Sequence, residues 1–227
     1  VVFRRLSAAL DRRPLPMNLA HHLVVFARTP RLGRVKTRLG RDIGAGAAWA
    51  FYRLTLSSVL RRLGGNRGSD RGGGRRWRCW LAITPDSDIY LRRPWPAGWR
   101  RVNQGEGDLG ARMGRLARAL PPGPVIIVGA DVPAIRPHHI VAAFKALGRH
   151  DAVFGPAEDG GYWLVGLRRR PRLADVFADV RWSTEHALAD TVANLSPGQT
   201  HALLETLEDV DGGEAYAKWK KRRRGRS

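Results

Sequence analysis

The sequence predicts an α/β fold of three layers, helices packed on both faces of a mostly parallel central sheet. Three observations carry the prediction. The run Val125-Ile126-Ile127-Val128-Gly129 is wholly apolar, β-branched and short, which is how a strand buried on both faces of a parallel sheet reads. Strand-like runs alternate along the chain with stretches of helical periodicity, the pattern of βαβ crossovers. And 227 residues suffice for one sizeable core, with no internal repeat and no clear boundary to divide it.

The elements follow in order. Leu23–Ala27 is a strand, and a polar loop with glycines runs from Arg28 to Gly44. Ala45–Leu63 places Ala47, Ala48, Phe51, Leu54, Val59, Leu60 and Leu63 at helical spacing. Gly64–Gly74 has no apolar content and is a surface loop. Trp77–Thr84 alternates as a strand, and Arg101–Gln104 is a short strand entering the turn Gly105–Gly110. Leu109–Leu120 is a helix with Leu109, Met113, Leu116, Ala117 and Leu120 on one face. After the central strand, Pro137–Leu147 is a helix opened by proline in its first turn. Ala152–Gly155 and Tyr162–Leu167 are strands flanking a turn at Glu158–Gly161. Ser183–Asn194 is a helix with Ser183 as N-cap, Ala202–Leu207 a last strand and Gly213–Lys221 a final helix.

Charge and cysteine content bound the setting. A single cysteine, Cys79, excludes an intramolecular disulfide and fits a reducing compartment. No apolar stretch approaches the ~20 residues of a membrane-spanning helix, so a cytoplasmic protein is expected. The formal charge of +20 is concentrated at the two termini and in the arginine-rich stretch 61–78 rather than spread over the body. Residues 1–20 are expected to be an N-terminal extension, disordered or preceding the true start, since Met17 stands just before the first strand. Residues 21–217 form the single domain, and 218–227 are expected to be a disordered basic tail, capable of weak, salt-dependent, nonspecific contacts with anions such as nucleic acid or lipid.

Candidate chemistry sits in four places. Open parallel sheets bind ligands beyond the carboxyl ends of their strands, and Asp131 stands at that point, where a carboxylate suits a hard cation carrying phosphates. The loop Arg28-Thr29-Pro30-Arg31-Leu32-Gly33-Arg34-Val35-Lys36-Thr37-Arg38 combines glycine with fixed cations and suits a polyphosphate, though it matches neither Walker A nor the dinucleotide fingerprint; a solvated basic loop explains it about as well. In Gln104-Gly105-Glu106-Gly107-Asp108, Gln104 and Asp108 could hydrogen-bond a planar base, while on local grounds Asp108 reads as the cap of the next helix. Asp159-Gly160-Gly161 reads as a hairpin turn, yet Asp159 could also reach the cation or accept a proton from an acceptor hydroxyl. Adjacent histidine pairs, His21-His22 and His138-His139, have the wrong spacing for two zinc ligands on one helix face, and no Ser/His/Asp arrangement is evident.

Taken together, Phe26–Pro30 with Gly33–Leu39, Gln104 with Gly107–Gly110 and Arg112-Met113, Gly129–Pro133, Gly155–Tyr162 and Trp182-Ser183-Thr184 occur in an order that resembles the DUF2064 family of glycosyltransferase-like proteins, which includes members associated with arsenosugar biosynthesis. The resemblance runs from about Leu23 to about Trp219. It implies a GT-A-like nucleotide-diphosphosugar transferase fold, related to small nucleotidyltransferases such as the 2-phospholactate guanylyltransferases. It implies that Arg28, Gly33, Lys36, Thr37 and Arg38 hold phosphates, that Gln104, Gly107 and Asp108 line base and ribose, and that Asp131 binds Mg²⁺ or Mn²⁺. Asp159, Gly160, Gly161, Tyr162, Trp182 and Ser183 would then face the sugar or acceptor, with Asp131, Asp159 and Lys36 catalytic. Two departures stand out. Asp131 is followed by Val132-Pro133 instead of a second aspartate, nearer the nucleotidyltransferase pattern, and Asp209-Val210-Asp211 is followed by Gly212-Gly213 where Thr-Pro is expected, which argues against a role for Asp211.

The expected activity is therefore transfer from a nucleotide-activated donor to a small-molecule acceptor. Glycosyl transfer from an NDP-sugar comes first, nucleotidyl transfer with release of pyrophosphate second. A basic nucleic-acid-binding protein without catalysis is the reading from another class.

Overall fold

The computed structural model describes residues 19–64, 76–169 and 175–224. The N-terminal extension up to residue 18, and nearly all of the Gly/Arg loop, lie outside the described residues. In chain order the elements are β1 (His22–Arg28), α1 (Thr37–Ile43), α2 (Ala45–Gly64), β2 (Arg78–Thr84), β3 (Arg100–Asn103), α3 (Leu109–Ala119), β4 (Val125–Gly129), α4 (Pro137–Ala146), β5 (Ala152–Pro156), β6 (Tyr162–Leu167), α5 (Ala187–Ala193), β7 (His201–Leu203) and α6 (Gly213–Arg224).

The strands form one seven-stranded sheet in the order β3-β2-β1-β4-β6-β5-β7. It is mostly parallel, as expected. Only β6 runs against its neighbours, pairing antiparallel with both β4 and β5. The run 125–129 occupies the middle, with His22 to Phe26 of β1 in register against Val125 to Gly129. All four of its apolar residues are buried, which is why both faces of the strand are hydrophobic in sequence.

The pleat distributes alternate residues to two cores. Leu23, Val25, Ile126 and Val128 point to one face, where Tyr52, Leu56, Val59, Leu60 and Leu63 of α2 and Ile140, Ala143 and Phe144 of α4 cover them. Val24, Val125 and Ile127 point to the other, under Met113, Leu116 and Ala117 of α3 and the partly buried Leu188 and Val192 of α5. The result is the three-layer α/β/α arrangement. A smaller cluster joins Leu39 of α1, Ala48 and Phe51 of α2, and Val210 just before α6.

Three local expectations change. The polar stretch Arg28–Gly44 contains a helix, α1, which buries a single residue, Leu39, and so has no apolar stripe to announce it. The helix expected from Ser183 begins only at Ala187. Ser183 has φ 62°, and the residue that turns the chain is Thr184, whose Oγ1 accepts from the His186 amide and donates to the Arg181 carbonyl. The basic segment from Lys218 is not a disordered tail over its described part: α6 continues through it to Arg224. No helix among the described residues is long and apolar enough to cross a membrane.

Candidate functional site

From β1 the chain goes to β2 and β3 on one side and to β4 on the other, so the sheet has its topological switch between β1 and β4. A crevice at the carboxyl ends of strands is the expected consequence of that reversal. A cleft of about 570 Å³ lies there, lined by Arg28 at the end of β1, Arg34, Lys36, Thr37 and Arg38 from the following loop and α1, and Gly129 to Asp131 at the end of β4.

The centre of the cleft is an ion triad. Lys36 Nζ lies 3.1 Å from Asp131 Oδ2 and contacts Asp211 Oδ1. The Lys36 side chain is 6% exposed, while those of Asp131 and Asp211 remain 41% and 45% exposed. Burial alone would push the ammonium's pKa down, but the two carboxylates outweigh it and hold the pKa above its ordinary value. Lys36 sits at φ 47°, ψ 49°, a left-handed conformation uncommon for a side-chain-bearing residue, as the N-cap of α1. Asp209, half-buried nearby, has its pKa pushed up to about 6, first by burial and then by Asp211.

The floor is braced by hydrogen bonds that cross elements. Tyr52 Oη on α2 accepts from the Arg28 amide and donates to the Arg28 carbonyl, both at 2.9 Å, fixing the end of β1. Gln104 is buried and spends both amide hydrogens on main-chain carbonyls, Ala82 at 2.9 Å and Ala27 at 3.3 Å. The glycine turn after it is held by Arg115, which donates to the Gln104 and Glu106 carbonyls, and by Arg112, which donates to the Gly107 carbonyl at 2.8 Å. Asp108 caps α3, accepting from the Ala111 amide at 2.8 Å.

Residues 72–184 match the model of the family described as "Uncharacterized protein conserved in bacteria (DUF2064)". The chain belongs to the DUF2064 family. Among solved structures, this DUF2064 protein is similar to a candidate nucleotide-diphospho-sugar transferase from Desulfovibrio desulfuricans G20, with a TM-score of 0.72 and 28% identity over 85% of this chain and 82% of that one. It shares its fold with 4-diphosphocytidyl-2C-methyl-D-erythritol synthase from Anaerococcus prevotii DSM 20548, at TM-score 0.54 and 12% identity, covering 89% of this chain and 96% of that one. The fold is also that of CMP:2-keto-3-deoxy-manno-octonic acid synthetase solved with CTP, at TM-score 0.53 and 12% identity, covering 92% of this chain and all of that one. No curated protein sequence matches the chain significantly.

The residues singled out in sequence divide into two groups in this DUF2064 protein. Arg28, Lys36, Thr37, Arg38, Gln104, Asp131 and Tyr162 line the cleft together. Gly33, Gly107, Asp108, Asp159, Gly160, Gly161, Trp182 and Ser183 do not. Asp159 accepts from the Gly161 amide at 3.0 Å within its own turn, and Trp182 packs edge-on to Tyr162, behind the cleft wall. Sequence reading missed Arg34, Tyr52, Arg112 and above all Asp211, which lies 175 residues from Lys36 along the chain. For Asp211 the available signal was the Asp209-Val210-Asp211 pattern, discounted because of the glycines after it.

A second cluster, His138, His139 and Glu205, is the one group of three metal-ligand types found among the described residues. Burial, first, and His138 lower the pKa of His139, so its ring is neutral near pH 7. Its Nδ1 accepts from the Arg136 amide at 3.0 Å, which places the ring proton on Nε2, facing Glu205 Oε1. That is a hydrogen bond fastening α4 to the segment after β7. A metal on Nε2 would require the opposite tautomer.

Proposed function

We propose that the protein transfers a group from a nucleotide-activated donor, with glycosyl transfer from an NDP-sugar as the leading reaction. The observation that carries the reading is the Asp131–Lys36–Asp211 triad at the switch point, with Arg28, Arg34, Arg38 and Arg112 around the same cleft. Fixed cations and paired carboxylates in one crevice suit a diphosphate accompanied by a divalent ion. Similarity to the Desulfovibrio protein supports the same substrate class.

Asp131 and Asp211 fit a cation such as Mg²⁺ or Mn²⁺, being hard oxygen donors, partly open to the cleft, that already converge on one positive group. When bound, that ion would offset the negative charge on the leaving phosphates. Lys36 supplies a fixed, buried positive charge beside the same phosphates, and its raised pKa keeps it protonated at neutral pH. Arg28 and Arg38 orient the diphosphate. With both Gln104 amide hydrogens committed, only its carbonyl oxygen is left for the base, so Gln104 recognises a hydrogen-bond donor there. Tyr162 forms the wall toward the sugar; Asp159, outside the cleft lining and accepting from the Gly161 amide in its own turn, is assigned no step.

A second reading, nucleotidyl transfer, is favoured by Asp131-Val132-Pro133, in which the second carboxylate comes from Asp211 instead of from an adjacent Asp-x-Asp. Incubation with NTPs and with NDP-sugars in Mg²⁺ separates the two. Release of NDP and a glycosylated product supports glycosyl transfer; release of pyrophosphate from NTP overturns it in favour of nucleotidyl transfer.

A further inference from the structure

Helix α6 presents one stripe to a groove against α2. Tyr216, Trp219, Lys220, Arg223 and Arg224, spaced i, i+3, i+4, i+7, i+8, face Ala47, Ala50, Phe51 and Leu54, spaced i, i+3, i+4, i+7. The groove holds about 540 Å³, slightly less than the cleft's 570 Å³, and no carboxylate lines it. It is graded along its length. Phe51 meets Tyr216 and Trp219 edge-on, with ring centroids 5.4 and 4.9 Å apart, at the amino-terminal end of α6, and the cations lie toward its carboxyl end. Leu54, on the opposite wall, is 66% exposed.

We propose that this α2–α6 groove is a docking surface for a bilayer carrying anionic headgroups. An apolar and aromatic strip beside a cationic strip on one surface is the chemistry of the membrane interface, where a Trp and aliphatic side chains enter the headgroup boundary and Lys and Arg meet anionic lipid. Lys220, Arg223 and Arg224 supply the electrostatic part, and the exposed Leu54, Ala47 and Ala50 with the half-buried Trp219 supply the apolar part, over a floor formed by the buried Phe51. Charge complementarity selects this occupant. A neutral amphipathic partner would gain nothing from Lys220, Arg223 and Arg224, and an oligonucleotide would gain nothing from Leu54.

The surface is independent of the cleft chemistry, so its test stands apart from the donor-binding reading. Full-length protein is sedimented with phosphatidylcholine vesicles, with and without one third phosphatidylglycerol, at low and high salt. Two variants, Leu54→Asp and Lys220→Glu/Arg223→Glu/Arg224→Glu, are compared after their melting temperatures are matched to wild type; Leu54 is exposed, so its substitution leaves the core intact. Binding that requires phosphatidylglycerol, weakens with salt and falls at least about tenfold in both variants supports the proposal. Absence of phosphatidylglycerol-dependent binding overturns it. So does loss in the charge variant alone, which means a diffuse electrostatic contact, and so does tighter binding to an oligonucleotide competitor that Leu54→Asp leaves unchanged.

Discussion

Gly160 allows a quantitative separation of structure from chemistry within the Asp159-Gly160-Gly161 turn. Its φ is 82°, and a Cβ placed on it would meet the backbone of Glu185, with Glu185 Cα only 2.6 Å away. The same turn is tied to the next element by a 3.2 Å hydrogen bond from the Leu188 amide to the Gly160 carbonyl. Substitution by alanine therefore incurs two costs: about 1 kcal/mol for a side chain in the left-handed region, and about 2 kcal/mol for overlap that no rotamer relieves, because the obstacle is main chain. The sum of roughly 3 kcal/mol corresponds to a fall of about 10 °C in melting temperature for a chain of this size. Gly46→Ala is the control. It lies in α2 with nothing within 4 Å of the added carbon, and should leave stability unchanged or raise it by about 0.5 kcal/mol. Thermal denaturation followed by circular dichroism measures both. Since Gly160 does not line the cleft, nucleotide affinity of Gly160→Ala well below its transition should match wild type. Equal melting temperatures for Gly160→Ala and wild type would refute the packing argument, and a normal melting temperature with lost nucleotide binding would show that the glycine admits a ligand instead.

Further outcomes follow from the same structure. His22 is fully buried, accepts from the Trp80 indole at 3.0 Å through Nδ1, and has its pKa lowered from 6.5 to about 4, first by burial. A lowered folded pKa means that the neutral form is the stabilising one. Its contribution, about 3 kcal/mol from a difference of roughly 2.5 pH units, is complete above pH 6.5 and lost as pH falls toward 4. Urea titrations between pH 7 and 5 should show this slope in wild type and a shallower one in His22→Gln, which can accept from Trp80 without titrating. Lys36→Met should weaken nucleotide binding by about 10- to 100-fold in calorimetry, because a buried charge beside the phosphates is lost while Asp131 and Asp211 are left to repel each other. Tyr52→Phe removes both hydrogen bonds to the Arg28 backbone and should cost about 1–3 kcal/mol of stability by chemical denaturation, with a smaller loss of nucleotide affinity.

How far the sequence could be read depended on whether a residue's role was local. β1 and β4 are buried on both faces, so their apolar runs announced them, and the antiparallel β5–β6 pair was visible in the Asp-Gly-Gly between two apolar stretches. Helix α1 was not, since one buried leucine leaves no period to detect. In the candidate site, Lys36 and Asp131 stood out because each follows a strand at the carboxyl edge. Asp211 was discounted for the Gly212-Gly213 after it, yet Val210, 1% exposed against Leu39 and Phe51, secures that segment from the other side. Asp108 illustrates the reverse: its motif suggested ligand contact, and the local reading as a helix cap prevailed.

The central claim is that Asp131 and Asp211 together make the cleft a cation-dependent nucleotide site. Isothermal titration of nucleoside diphosphates into wild type, Asp131→Ala and Asp211→Ala, each with Mg²⁺ and with EDTA, tests it most directly. Binding should require Mg²⁺ in wild type and disappear in both variants. Unchanged affinity in the two variants, with or without Mg²⁺, would contradict it.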